Sequence, residues 1–491
     1  MEKFLKIHPD DNVAVCITGA ASGDEFGDVT ALAHIPPGHK MALCDIKTGE
    51  SVIKYGAPIG TAFADIKKGA WVHSHNLKTS LCGETEYSFS PCEGEKTEAV
   101  KNLYFYGYER SGGGVGIRNE IWIIPTVGCV NDTARIIAEK ANTLYADSCD
   151  GVFAVRHPYG CSQLGGDHRA TQEALAALCR HPNTAGVLIL SLGCENNNLD
   201  SFLPVLGEYD SSRIKTLVTQ QADDEIEEAL ALIGEIAAIA QSDERTGLPL
   251  SRLTIGMKCG GSDGFSGITA NPLCGRIADI VCSCGGRVIL SEVPEMFGAE
   301  TILMSRAVSG DVFEKSVDMI NGYKQYFIRH SQQIYENPSP GNKEGGITTL
   351  EEKSLGCIQK GGRAAVTDVL EMYEHCKTNG LSLLYGPGND IVSTTNLTAA
   401  GANLILFTTG RGTPLGAQAP TVKISTNSAL AKKKPHWIDY DAGAILDGKS
   451  FDTAAEELLE IILNIASGTR RAKNELNGFR ETAIFKDGVI L

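Results

Sequence analysis

No block of Lys and Arg, no apolar run approaching the length of a membrane span, no CxxC pair and no phosphate-cradling glycine motif occur in this chain. Each absence removes a class of function. Without clustered basic side chains, and with a formal charge of −16, the chain offers no partner for a phosphate backbone, so nucleic-acid binding is excluded. No stretch nears the roughly eighteen apolar residues of a spanning helix. The opening MEKFLKIHPDD has neither a charged region followed by an apolar run nor a cleavage signal, so a cytoplasmic protein with no membrane partner is expected. Fifteen cysteines are an odd number scattered over 491 residues, which argues against a disulfide framework and for free thiols or metal ligands. The one close pair, Cys282 and Cys284, has a CxC spacing that is weak as a zinc signature. Neither GxGxxG after a first strand nor GxxxxGK[ST] is present, so no nucleotide cradle is supported.

What is present is long enough for two or three domains. Residues 1–81 carry short alternating runs broken by Gly and Pro (NVAVCIT, HIPPGHKMALCDI, SVIKYG, GAWVHSHN), the pattern of a small all-β unit. Residues 82–103 are polar, acidic and aperiodic and read as a linker. From 104 onward apolar runs alternate with helical patterns, predicting α/β domains with parallel sheets over 104–248 and 249–491. The runs are EIWIIPTVGC, GVFAVRHPYGC, AGVLILSLGC, KTLVTQ, LTIGMKCGG, RVILSEV, LSLLYGPG and NLILFTTG. DDEIEEALALIGEIAAIA and TAAEELLEIILNIAS have helical periodicity, and NDTARIIAEKA opens with Asn131 or Asp132 as a plausible cap.

Cys129, Cys161, Cys194 and Cys259 each follow an apolar run and precede a turn or helix start. Ligands of open parallel sheets sit beyond the carboxyl ends of the strands, so these thiols are placed to converge on one pocket, where thiolates suit iron or zinc. Simple burial in tight turns is the competing reading for each of them. His73 and His75, two apart in WVHSHN, would share one face of a strand and offer half a coordination shell. His39 and Lys40, in PPGHK, form a candidate proton-transfer pair.

Glycine-rich polar loops recur at KCGGSDGFSGITANP, NPSPGNKEGG, GPGND and FTTGRGTPLG. They supply small donors suited to a hydroxylated anion, with Arg118, Lys258, Lys343 and Arg411 as candidate carboxylate ligands and Asn76, Ser262, Asp263 and Asn342 as polar contacts.

These segments resemble the altronate/galactarate dehydratase family, sugar-acid dehydratases that also include the two-part sulfolactate sulfo-lyases. The resemblance runs through IHPDDNVAV, GHKMALCDI, WVHSHNLKT, RNEIWIIPTVGCVN, YGCSQLG, LGCENNN, KCGGSDGFSGITANP, SEVPEMFGAE, YENPSPGNKEGGITTLEEKSLG and FTTGRGTP, essentially the whole chain. WVHSHN favours the altronate branch over the galactarate branch, and an undivided chain argues against the sulfo-lyases. The resemblance implies an α/β multidomain fold behind a small N-terminal all-β domain of the β-clip, SAF-like type. It implies dehydration of D-altronate to 2-dehydro-3-deoxy-D-gluconate in hexuronate breakdown, with dependence on Fe2+, replaceable by Mn2+; a homo-oligomer is an expectation whose subunit number the sequence leaves open. An iron–sulfur cluster stays open as the form of the iron. The expected site places His73, His75, Cys161, Cys194 and Cys259 at or near the metal, with His39 or Lys40 transferring protons, at a domain interface. Galactarate or sulfolactate as substrate, a sugar-acid binding module on an inactive scaffold, and a zinc-stabilised structural protein are the competing readings.

Overall fold

The computed structural model describes residues 3–81, 83–92 and 103–491. At the front, the alternating runs form small antiparallel sheets. Strands β1 (Val13–Cys16), β2 (Lys40–Ala42) and β3 (Trp71–Val72) pair side by side in one of them. Ser51–Lys54, Ala57–Ala62 and Leu77–Lys78 form another. Every residue of β1 and β2 is buried, so this unit has a core on both faces of its short strands.

Of the linker read at 82–103, positions 82 and 93–102 lie outside the described residues. Residues 83–92 are pinned along the C-terminal part: Asn321 donates to Thr85 O at 3.1 Å, Cys92 N donates to Ser305 O at 2.8 Å, and Phe89 packs on Phe313. Polar composition here marks an extended strap that is hydrogen-bonded to a neighbour.

The chain then pairs Tyr104–Glu109 with Thr246–Pro249, antiparallel, so the second unit begins and ends side by side. Between them β4 (Glu120–Pro125), β5 (Val152–Ala154), β6 (Thr184–Ser191) and β7 (Ile214–Val218) form a parallel sheet in the order β5-β4-β6-β7. β4 and β6 are buried at every position, as strands covered on both faces by crossover helices must be. Helices α1 (Asn131–Leu144) and α2 (Gly165–Cys179) are two of those crossovers. The expected cap at Asn131 or Asp132 is not formed: Val130 precedes the helix without a side-chain cap, and Asn131 instead donates to His157 O at 2.8 Å, tying two loops together. DDEIEEALALIGEIAAIA behaves as read, with Asp224 capping Glu225–Ala240 by accepting from Ile226 N and Glu227 N.

The C-terminal part holds a seven-stranded parallel sheet. Its strands are β8 (Thr254–Cys259), β9 (Arg287–Leu290), β10 (Val366–Leu370), β11 (Gly380–Leu384), β12 (Leu404–Thr409), β13 (Thr421–Ser425) and β14 (Tyr440–Asp441), in the order β10-β11-β9-β8-β12-β13-β14. Four of its residue runs were legible as β-strand or buried apolar segments, whereas β10, β13 and β14 carry too many polar residues to stand out. After β8 the chain moves outward to one side and returns at β12 on the other, which places a topological switch point between β8 and β12.

Candidate functional site

A cavity of about 600 Å³ opens at that switch point. The loops after β8, β12 and β13 supply Asp263, Arg411 and Asn427, the segment before α3 (Leu350–Cys357) supplies Glu344, and the front domain closes it with Ile17, Thr18, Pro36 and Pro37. The two parts meet without room for side chains: a Cβ on Gly264 would stand 2.0 Å from Gly38 O. Glycine at both positions is what lets the front domain seat on the pocket.

Asp263 is buried and has no basic partner among its hydrogen-bond donors. Its carboxylate accepts from Thr426 Oγ1 at 2.9 Å, Asn427 Nδ2 at 3.0 Å, Ser266 Oγ at 3.2 Å and Phe265 N at 3.1 Å. Burial nonetheless raises its pKa above the ordinary range, which makes it a stronger base than a solvated carboxylate. Arg411 stands at the rim, paired with Glu344 at 2.7 Å, and Lys343 is its half-buried neighbour in Pro340–Glu344. Ser262 lies behind the cavity, beside a void of about 10 Å³ shared with Lys54, Asp263, Glu352 and Lys353, and its buried hydroxyl has no hydrogen-bond partner.

Beneath the front domain runs a hydrogen-bonded chain. His73 Nδ1 meets Thr348 Oγ1 at 2.9 Å; Lys40 Nζ donates to Thr348 Oγ1 at 2.9 Å, to Gly346 O at 2.8 Å and to Glu352 at 2.8 Å; Lys54 reaches the other oxygen of Glu352 at 2.8 Å. Lys40, Lys54 and Glu352 are almost fully buried. Burial, aided by Lys54 and resisted by Glu352, lowers Lys40 to about 8. Burial alone would raise Glu352, but the two lysines hold it at about 2. Burial and the nearby Lys40 and His39 lower His73 to about 4, so its imidazole is neutral near pH 7. His39 is oriented by Trp71, whose Nε1 donates to its Nδ1 at 3.2 Å, leaving Nε2–H to donate to Glu344 O at 3.1 Å.

His73 and His75 do not share a strand face: β3 ends at Val72, and residues 73–76 form a turn in which Asn76 N and Leu77 N both donate to His73 O. Both rings still lie against Trp71, at 5.6 and 5.1 Å. Asn76 is spent on that turn, accepting from His73 N and donating to Trp71 O, and is a positioning residue rather than a pocket contact.

The remaining residues of the expected site are dispersed. Arg118 is fully buried with its guanidinium held by Glu475 at 2.7 and 2.8 Å and by the carbonyls of Ile117 and Ile465, so four of its five N–H donors are used inside the protein and none faces the cavity or solvent. Asn342 is a buried capping residue that donates to Ser262 O and accepts from Ser339. Lys258 belongs to a buried lattice with Glu292, Asp390 and Gly388 O. In the same lattice Cys259 lies 3.3 Å from Cys357, both thiols donate to Glu295, and Lys360 Nζ reaches Cys259 Sγ at 2.9 Å while Lys353 reaches Glu295 at 2.8 Å. The adjacent Cys259 sulfur and burial push the Cys357 thiol well above its ordinary range. Cys161 and Cys194 are exposed at the edge of the other sheet.

Three ligands on one ion need donor atoms within a few ångströms of one another. Among the described residues the group meeting a 4.8 Å limit is Cys259, Glu295 and Cys357, which contains one of the five expected metal ligands. Lysine ammoniums already neutralise that group. The expected merger of histidines and strand-end cysteines on one ion is therefore not formed; they occupy three places. Residues missed by sequence reasoning include Lys54, Glu344, Thr348, Glu352 and Asn427. They carry no periodic signal, though TTLEEKSLG was among the segments that carried the resemblance.

Family models match along the chain. Residues 2–80 match an altronate/galactarate dehydratase SAF domain, 107–241 the second domain of D-galactarate dehydratase/altronate hydrolase, and 250–490 the C-terminal domain of D-galactarate/altronate dehydratase. The chain is 50% identical to an altronate dehydratase of Escherichia coli (strain K12) and 49% identical to one of Bacillus subtilis (strain 168), over 100% of both chains in each pair. It is 32% identical to a galactarate dehydratase (L-threo-forming) of Escherichia coli (strain K12), over 98% of this chain and 96% of that one.

Proposed function

The chain belongs to the altronate/galactarate dehydratase family, and on that premise we propose that it is a hydro-lyase removing water from D-altronate to give 2-dehydro-3-deoxy-D-gluconate, within hexuronate breakdown. The observation that carries the choice of acid is the gap between 50% identity to altronate dehydratases and 32% to a galactarate dehydratase, both over nearly full length.

The 600 Å³ cavity suits a six-carbon acid. Arg411 at the rim provides charge for the substrate carboxylate. Asp263, buried and raised in pKa, takes the proton from C2, a weak acid beside a carboxylate, and the electron pair left behind expels the C3 hydroxyl. That hydroxyl leaves as water on receiving a proton. The supply is Lys40, protonated below pH 8, through Thr348 to Nδ1 of His73, whose Nε2 releases the proton. The enol product then becomes the 2-keto-3-deoxy acid. Glu352 keeps the relay charged and fixed.

The family resemblance calls for ferrous iron. Of the two histidines against Trp71, His75 stands outside the proton relay and is the imidazole that fits, because His73 is bonded to Thr348 through Nδ1 and carries the relayed proton on Nε2, and the Cys259–Glu295–Cys357 group already carries lysine counter-ions. When bound, such an ion would polarise the substrate carboxylate and the leaving hydroxyl. The test is keto-acid formation from D-altronate and from galactarate by protein purified without oxygen, with and without a chelator and added Fe2+. Faster turnover of altronate that chelation abolishes supports the reading. Preference for galactarate, or turnover indifferent to chelation, overturns the choice of acid or of metal respectively.

A further inference from the structure

The second domain carries a thiol cluster that the dehydration reading does not use. β4 lies between β5 and β6, and the loop after each of these strands carries one cysteine: Cys129, Cys161 and Cys194. All three are exposed, whereas Cys16, Cys179, Cys259, Cys274, Cys357 and Cys376 are buried. In this sheet the chain moves from β4 to β5 on one side and then to β6 on the other, so β4 and β6 flank its own switch point, where α/β sheets bind their ligands.

The three loops are built as one unit. Gly128 N donates to Tyr159 O at 2.8 Å, Asn197 N to Gly160 O at 2.9 Å, Asn197 Nδ2 to Thr126 O at 3.0 Å and Ser162 N to Asn196 Oδ1 at 2.8 Å. Gly160, at φ +102°, is so close to the first loop that a Cβ would stand 2.0 Å from Thr126 O, and Ser162 adopts φ +60° beside Cys161, a conformation rare for a residue other than glycine. Two polar side chains of these loops are buried with an unpartnered atom: Asn197 Oδ1 and Gln163 Nε2. Gln220 Nε2 donates to Cys194 Sγ at 3.3 Å, a contact that orients the sulfur. Cys129 stands two residues before α1.

From this geometry we propose that Cys129, Cys161 and Cys194 hold a [4Fe–4S] cluster at the carboxyl edge of the second sheet. Soft thiolates select iron–sulfur clusters, and each thiol gives up its proton to solvent as its sulfur bonds to iron. The three sulfurs are not all within 4.8 Å of one another, which is too wide for one shared ion, whereas in a cluster each sulfur takes a different iron. Three protein ligands leave the fourth iron open to water or to the oxygen of a small hydroxy acid. The exposure of all three cysteines makes the cluster labile to oxygen.

The test uses the full chain, isolated without oxygen and incubated with equal parts of ferrous and ferric iron and with sulfide, which together make [4Fe–4S]²⁺ with no further oxidant. The proposal expects iron and sulfide in equal amounts, about four of each per chain, with broad visible absorption. C129S, C161S and C194S should each lose most of that absorption while C259S keeps it. Exposed Cys→Ser changes are expected to fold, but a second readout needs no variant: the cluster should shield these three thiols from alkylation, read by peptide mass spectrometry. Iron without sulfide, a cluster retained in the triple Ser variant, or equal alkylation with and without the cluster overturns the proposal. The readouts are iron, sulfide and thiol protection, so failure here leaves the dehydration reading standing, and keto-acid formation tests that reading separately.

Discussion

At the scale of single residues, the pocket turns on one carboxylate. Asp263 is buried among hydroxyl, amide and backbone donors, so replacing it by Asn keeps most of the shape while removing the base. D263N should lower kcat by roughly 100- to 10,000-fold with the thermal midpoint little changed, measured by keto-acid release and by calorimetry. The relay makes a second claim. Thr348→Val interrupts the path between Lys40 and His73 and should lower kcat while leaving KM unchanged. The pH profile follows from the two groups: Lys40 must be charged, so activity falls as pH rises through about 8, and Asp263 must be ionised, so activity falls as pH drops through its raised pKa. An alkaline limb that persists unchanged in T348V would remove Lys40 from the proton path. Part of this site could be read from residue types alone: His39, Lys40, Asp263 and Arg411 stood out as a proton-transfer pair and as polar groups in glycine-rich loops. Thr348 and Glu352 could not, because a helix-capping threonine-glutamate pattern is indistinguishable from TTLEEKS doing nothing else, and Thr349 does cap the helix by accepting from Glu352 N.

At the scale of elements, α3 is fastened to the front domain by Glu352, which accepts from Lys40 and Lys54 across about three hundred residues of chain. Removing the charge leaves two buried ammoniums unpaired, so E352Q should destabilise by about 3–5 kcal/mol in urea unfolding. The same pair governs acid behaviour. Glu352 is held near 2 in the folded chain against an ordinary 4.5. Its folded pKa is the lower one, so its contribution is present above about 4.5 and is lost as pH falls from there towards 2, worth roughly 3 kcal/mol in all. Stability measured across that window should fall in the parent and fall less steeply in E352Q; identical slopes would assign the acid sensitivity to other carboxylates. Strand runs such as EIWIIP and LILFTT were legible because parallel strands buried on both faces are continuously apolar. Thr421–Ser425 was not, since its polar side chains satisfy hydrogen bonds inside the protein, as Lys423 Nζ does by donating to Leu415 O.

At the scale of the whole molecule, Arg118 shows why an isolated basic residue is a poor guide to a substrate site. It precedes a strand and a run of polar residues, and from sequence it reads as an anion ligand; its partner Glu475 lies 357 residues away. The pair joins the second sheet to the C-terminal segment, with Arg118 also bonded to Ile465 O and Glu475 also bonded to Arg471. Burial would raise Glu475, but the hydrogen bonds and charge of Arg118 hold it at about 2. R118A strips the arginine from a buried carboxylate and should cost about 3–5 kcal/mol of stability, lowering the urea midpoint, while KM for the sugar acid stays where it was. Glu475→Gln, which leaves the guanidinium buried without its charge partner, should weaken the molecule in the same direction. A variant of Arg118 with a raised KM and an unchanged urea midpoint would return this residue to the pocket, and with it the larger claim that the acid binds only between the front domain and the carboxyl edge of the seven-stranded sheet.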